Sequence, residues 1–166
     1  MISGFNHVDF DHSGNTYMAQ HPLTGLIHLF MKTESGLFPI SGASQILTIA
    51  SGASPSDLSP DGTYIAVEGV TLKNVRIYKQ ASLLFTLDHL IDIEPDHPTV
   101  ADVLHVQFSH DNQNLVIGVE NSDNSISLLL YSLSSGQYSF SHSFALTDTV
   151  LHKIRVSDSG AIFFSG

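Results

Sequence analysis

The sequence predicts an all-β fold, and three observations carry that prediction. Charged residues make up only 13% of the chain against 42% hydrophobic ones. Strand formers and Ser dominate, and little Lys, Arg or Glu is left for amphipathic surface helices. Four short turn sequences then recur: Asp11-His12-Ser13-Gly14, Ser59-Pro60-Asp61-Gly62, Ser109-His110-Asp111-Asn112 and Ser157-Asp158-Ser159-Gly160. Their last residues fall at 14, 62, 112 and 160, in steps of 48, 50 and 48. Finally, the apolar segments around each turn repeat in step with it. A period of this size marks an array of structural units, and four antiparallel strands per unit make the blade of a β-propeller. The expected architecture is a single all-β β-propeller segment of about three and a half four-stranded blades, approximately 1–52, 53–101, 102–149 and a partial 150–166. A β-sandwich of hairpins also places turns at short intervals, but it has no reason to repeat turn, aromatic and strand lengths together.

Each turn closes on Gly14, Gly62, Asn112 or Gly160, the residue types that best tolerate a left-handed backbone in a short hairpin. The Asp or Ser before it can hydrogen-bond the turn backbone. Six and four residues before each turn end lie Val8 and Phe10, Ser56 and Leu58, Val106 and Phe108, and Ile154 and Val156. This alternation reads as a first strand with one buried face. After the turns, Thr16 to Ala19, Tyr64 to Val67, Leu115 to Val119 and Ile162 to Phe164 are near-continuous apolar runs, as expected of strands covered on both faces. A third strand follows at Leu26 to Phe30, Val75 to Tyr78 and Ser127 to Tyr131. Phe30, Tyr78 and Tyr131 are read as aromatics packing between blades. A weaker fourth strand is placed at Leu37 to Ile40, Leu83 to Leu87 and Gln137 to Phe144. Between units, Ile46 to Ala50 reads as an extension of an outer strand, and the acidic, proline-containing Leu87 to Thr99 as an exposed connection.

Composition excludes several function classes. Six basic against 16 acidic side chains give a formal charge of -10, which opposes binding to phosphate backbones and anionic membranes. Nucleic-acid and membrane partners are therefore not expected. Cysteine is absent, so no disulfide or thiolate zinc site can form. The N-terminal residues have neither the basic region nor the apolar region of a signal peptide.

The second unit reads Ser59-Pro60-Asp61-Gly62-Thr63-Tyr64-Ile65-Ala66-Val67, then Val75-Arg76-Ile77-Tyr78-Lys79. It resembles the blade signature of WD-repeat-like propellers, and in particular the degenerate blades of bacteriophage tail and other virion structural proteins. The first and third units carry the pattern loosely, and the fourth shows only its opening. The Gly-His and Trp-Asp pairs of true WD repeats are missing, and Phe30, Tyr78 and Tyr131 stand where the Trp would. The resemblance implies a non-enzymatic structural or interaction protein, tail-associated or on the virion surface, whose partners are other protein subunits. The alternatives are a cellular WD-repeat-like scaffold in the cytoplasm that binds a partner through its loops, and a glycan-binding or hydrolytic propeller.

No motif in the chain points to catalysis or to a cofactor. Asp57, Ser59, Asp61 and Glu68 nearly reproduce the ligand spacing of an EF-hand calcium loop. Strands rather than helices flank them, and the equivalent first positions elsewhere are Gln107 and Arg155, so a repeated hairpin turn is the preferred reading. The ten histidines show no metal-binding spacing. Asp88-His89 and Asp96-His97 bracket Asp92 and Glu94, and this group reads as a solvated acidic loop. The nucleophile elbow G-x-S-x-G is absent, so no enzyme activity is expected. The half unit at 157–166 would leave an apolar edge open, and strands from outside these residues are expected to pair with it.

Overall fold

A computed structural model describes residues 7–21, 24, 26–33, 36–39, 46–47, 55–69, 71, 73–82, 84–146, 151, 153–157 and 161–165. The first sheet contains β1 (His7–Phe10), β2 (Thr16–Gln20), β3 (Ile27–Thr33), β4 (Gly36–Pro39) and the short β5 (Ile46–Leu47). The second is β6 (Ser56–Leu58), β7 (Tyr64–Glu68), β8 (Asn74–Ala81) and β9 (Leu84–Asp92). The third is β10 (Val100–Phe108), β11 (Asn114–Asn121), β12 (Ile126–Ser134) and β13 (Gln137–Leu146). A hairpin of β14 (Lys153–Val156) and β15 (Ile162–Ser165) follows. Every pairing is antiparallel and, β5 apart, joins strands adjacent in sequence, so each sheet is a meander.

The repeated turns set this register. Gly14, Gly62 and Asn112 sit at φ +66°, +73° and +59°, and each N–H donates to the carbonyl three residues back, on Asp11, Ser59 and Ser109. In the second and third turns a serine side chain closes the loop: Ser59 Oγ accepts from the Tyr64 N–H at 2.8 Å and Ser109 Oγ from the Asn114 N–H at 2.9 Å. In the first turn Asp11 takes that place and accepts from the Asn15 N–H at 2.8 Å. Gly160 lies outside the described residues.

Among the described residues the hydrophobic core forms three layers, one between each pair of successive units. Met18, Ile27 and Leu29 of the first sheet meet Leu58, Ile65, Val67, Tyr78 and Phe85 of the second. Ala66, Val75, Ile77 and Ile91 of the second meet Phe108, Leu115, Ile117, Leu129 and Tyr131 of the third. Val116, Ile126 and Leu128 of the third meet Leu151 and Ile154 of the hairpin. Sheets stacked face to face in this way are the blades of a propeller.

The apolar pairs on the first strands divide by position. Leu58, Val106, Phe108 and Ile154 are buried against the preceding blade, whereas Val8 and Phe10 are 56% and 62% exposed. That corrects the expected buried face of β1: among the described residues no sheet packs against the side of β1 that carries Val8 and Phe10. The same correction applies to β15, where Phe163 is 61% exposed and Phe164 45%. The stretch Leu87 to Thr99 is also not simply a connection. β9 runs to Asp92, and Ile91 and Ile93 are buried between blades, so apolar alternation keeps the chain in the sheet despite its acidic residues.

The aromatic positions fall in register, Phe30 opposite Tyr17, Tyr78 opposite Ile65 and Tyr131 opposite Leu115. Tyr78 and Tyr131 are buried between blades and Phe30 is half-buried. At each aromatic the outer pairing is interrupted. β8 and β9 shift register between Ile77 and Tyr78, and β12 and β13 between Leu130 and Tyr131. In the first blade the outer strand is split at this place, Pro39 of β4 pairing with Phe30 and Ile46 of β5 with His28.

Candidate functional site on the inner wall

The first strands β1, β6, β10 and β14 stand side by side and form the inner wall of the arc. An innermost strand has a free edge, and its outward N–H groups need acceptors. Here they come from the blade before. Asp9 Oδ2 accepts from the Leu58 N–H at 3.1 Å, and Asp57 Oδ2 from the Phe108 N–H at 2.7 Å. Asp57 also accepts from Gln107 Nε2 at 2.9 Å, and Gln107 Oε1 from Arg155 Nη1 at 2.8 Å. Asp9, Asp57, Gln107 and Arg155 each stand five residues before their turn end, so one repeat position is linked from blade to blade into a polar ladder.

Asp57 is the buried rung. Removal from water pushes its carboxyl well above the usual carboxylate range, and the adjoining Asp9, close enough to share a hydrogen bond, pushes the same way. The Phe108 N–H and the Arg155 guanidinium pull it back only in part. Both carboxylates of the ladder are therefore committed to the backbone of the next blade. Arg155 is exposed at the other end, with Nη1 held by Gln107 and by the Ile154 carbonyl at 3.2 Å. Chemically, the wall offers a fixed guanidinium with its remaining N–H groups available to an anion or carbonyl.

The sequence reading weighed Asp57 and its counterparts Gln107 and Arg155 only as metal ligands. What marks them is a polar side chain at the same place in every first strand, between two residues of the packing face. The calcium-like set divides in the structure. Ser59 Oγ donates to Asp61 Oδ1 at 2.7 Å, and Asp61 accepts from the Thr63 N–H at 2.8 Å, all within the turn. Asp57 points to the next blade, and Glu68 is buried at the far end of β7, roughly 13 Å along the strand from Tyr64 at 3.3 Å per residue. No group of three or more His, Asp or Glu residues that could hold a metal ion occurs among the described residues.

The acidic histidine-containing stretch is likewise drawn apart. His89 Nδ1 binds the Asp88 carboxylate at 2.8 Å, and its Nε2 accepts the Tyr138 N–H of the third blade at 3.3 Å. Tyr138 packs edge-on against Tyr64 and donates its hydroxyl to the Asn112 carbonyl at 2.7 Å. Glu94 forms an exposed ion pair with Lys73 at 2.8 Å, a contact of small energetic weight. The turns add a pair that the sequence did not suggest: His12 and His110, both second in their turns, have ring centroids 4.4 Å apart.

No protein-family model matches the sequence, and no curated protein does either. Solved structures do match. The chain is similar to a putative 6-phosphogluconolactonase from Bacteroides uniformis, at 15% identity and TM-score 0.69, over 97% of this chain and 49% of that one. It is similar to the periplasmic gluconolactonase of Pseudomonas aeruginosa, at 16% identity and TM-score 0.67, over 96% and 46%. It is also similar to a chain of the mitotic checkpoint complex, at 14% identity and TM-score 0.67, over 97% and 45%. The fold is an arc of a β-propeller. The chain spans about half the length of the solved structures it matches.

These likenesses correct the functional expectation. The blade resemblance pointed to a non-enzymatic phage virion component, yet several neighbours in fold are named for lactonases, and they point away from that role and from the absence of enzyme activity. The physical reason lies in the motif. Ser59 to Lys79 records how a turn and two strands pair, a constraint on any propeller blade whatever its task.

Proposed function

We propose that this arc belongs to a hydrolytic propeller that takes a small polar lactone of the sugar-acid class. One observation carries the reading: the inner wall is a hydrogen-bonded polar ladder ending in the exposed guanidinium of Arg155, in a chain whose formal charge is -10. The names of the lactonase neighbours support the substrate class. Arg155 is assigned to binding, where its N–H groups hold a carbonyl, carboxylate or phosphate of the substrate. In the reaction, water adds to the lactone carbonyl, the ring C–O bond breaks, and the hydroxy acid leaves with a proton released to solvent. Asp9 and Asp57 are positioning residues that lock the wall, since their oxygens are taken by backbone N–H groups.

The test is a pH-stat assay on δ-gluconolactone. Acid release faster than the spontaneous reaction is expected, with Arg155→Ala raising KM and leaving kcat nearly unchanged. Acid release at the spontaneous rate, or an Arg155→Ala variant with unaltered KM, would overturn the assignment.

A further inference from the structure

At the turn end of the inner wall, the first and third blades touch through the second residue of their turns. The His12 and His110 rings stand edge to face, with centroids 4.4 Å apart and planes at 84°. Pro60 holds the same place in the second turn, and its carbonyl accepts the His12 N–H at 2.5 Å. That bond fastens the first turn to the second. Gly14 and Asn112, both at positive φ, shape the hairpins that present the two histidines. His12 is exposed and His110 half-buried. The Asp111 carboxylate accepts from Ser109 Oγ at 2.6 Å and from the Gln113 N–H at 3.0 Å, and it lies close enough to His110 for their charges to interact. The polar ladder does not include this pair.

Imidazole nitrogens are the ligands that zinc, nickel and copper ions select, whereas calcium and magnesium take oxygen. The spacing suits a shared ion. With metal–nitrogen bonds of about 2.1 Å, two imidazoles on one ion have ring centres about 4.5 Å apart at a right angle and about 5.2 Å apart at the tetrahedral angle. The 4.4 Å pair is within about 1 Å of both values. Rotation about the side-chain torsions of the exposed His12 is enough to turn a ring nitrogen toward a common point. An edge-to-face packing contact would be served as well by Phe or Tyr at either position.

We propose that His12 and His110 bind one divalent first-row transition ion (Zn²⁺, Ni²⁺ or Cu²⁺), which clips the first blade to the third across the turn of the second. Two protein ligands are fewer than a closed structural site uses, so water takes the other coordination positions and the affinity is moderate. The Asp111 charge beside His110 favours a cation at this place. The clip acts on the folded arc alone, because the two histidines lie far apart along the unfolded chain, and an ion that binds only the folded form stabilises it.

The probes are the chlorides of Zn²⁺ and Ni²⁺, titrated into the purified protein by calorimetry, with Mg²⁺ as the control. Saturable one-to-one binding of Zn²⁺ and Ni²⁺ is expected, with none of Mg²⁺. His12→Ala and His110→Ala are each expected to weaken it at least about tenfold, since either change leaves a single imidazole. Zinc should raise Tm in the parent and in neither variant. In NMR spectra, substoichiometric Ni²⁺ should broaden the His12 and His110 ring signals before those of His89 and His142. His12→Gln, at an exposed turn position, repeats the test with a polar side chain should an alanine variant fold poorly. The proposal is overturned if the parent shows no saturable binding up to about 1 mM metal, a range far weaker than a two-imidazole site. It is overturned equally if His12→Gln binds as the parent does, or if the broadening centres on other histidines. None of these readouts depends on lactone hydrolysis.

Discussion

At the scale of single residues, the joints between blades are where a small change matters most. A Cβ on Gly62 would lie 2.9 Å from Asp11 Oδ2 and 3.3 Å from Thr16 Oγ1, at a φ of +73°. Gly62→Ala therefore meets backbone strain and a clash together, and is expected to lose about 1–3 kcal/mol in urea unfolding. Asp57→Asn runs the other way. Because burial and Asp9 raise the folded-state pKa of Asp57 above its unfolded value, the protonated form supports folding. That support is fully present below the unfolded pKa and is lost as pH rises through the folded one. Asp61 shows the opposite behaviour: burial opposes its charge, but hydrogen bonds from Thr63 and Ser59 outweigh this and lower its pKa. Asp111 is lowered as well, chiefly by Ser109. The Asp57→Asn variant is accordingly expected to match the parent near pH ~3, below the unfolded pKa, and to be the more stable protein near pH ~7, as read from paired denaturation curves. Loss of stability at neutral pH would show that the charged form is the one the ladder needs.

At the scale of elements, the sequence displays strands and turns clearly and edges poorly. The turn ends at Gly14, Gly62 and Asn112 are local, since backbone sterics at a single residue impose them. The buried runs in β7 and β11 are legible for the same reason, because their composition is uniform along the strand. Burial of Val8, Phe10, Phe163 and Phe164 is not legible, because it depends on whether another blade stands opposite. The ladder was also hidden: Asp9 and Asp57 share a position with Gln107 and Arg155, so residue type varies along it, and only adjacency of the first strands turns that position into a network. The hairpin β14–β15 makes an accessible test of this layer-by-layer construction. A Cβ on Gly118 would come within 2.5 Å of Leu151 Cδ2 and 3.0 Å of Ile154 Cδ1. Gly118→Ala should loosen the hairpin without disturbing the second blade, so hydrogen exchange is expected to quicken in Lys153–Val156 and remain unchanged in Tyr64–Glu68. Uniform quickening across both segments would mean that the layers melt as one unit.

At the scale of the molecule, charge acts together with the apolar faces that stand exposed among the described residues, at Val8 and Phe10 and at Phe144, Phe163 and Phe164. Ten histidines stand against a formal charge of -10, so protons gained by histidine on mild acidification reduce the net negative charge and with it the repulsion between copies. Light scattering is expected to rise between about pH 7 and 5, and a flat trace across that range would refute the idea. His28 joins late, because burial and the nearby His21 lower its pKa. The interrupted outer strand carries a different consequence, for protein engineering. Between the pairs Tyr78–Leu87 and Arg76–Leu90 the second blade spends two residues, while between Phe30–Pro39 and His28–Ile46 the first spends six. The same seam thus already accepts chain of different lengths on the outer rim, far from the inner wall. An epitope or a whole reporter domain grafted at Asp88 or Ser141 would enter the molecule at the place where the first blade already carries six residues.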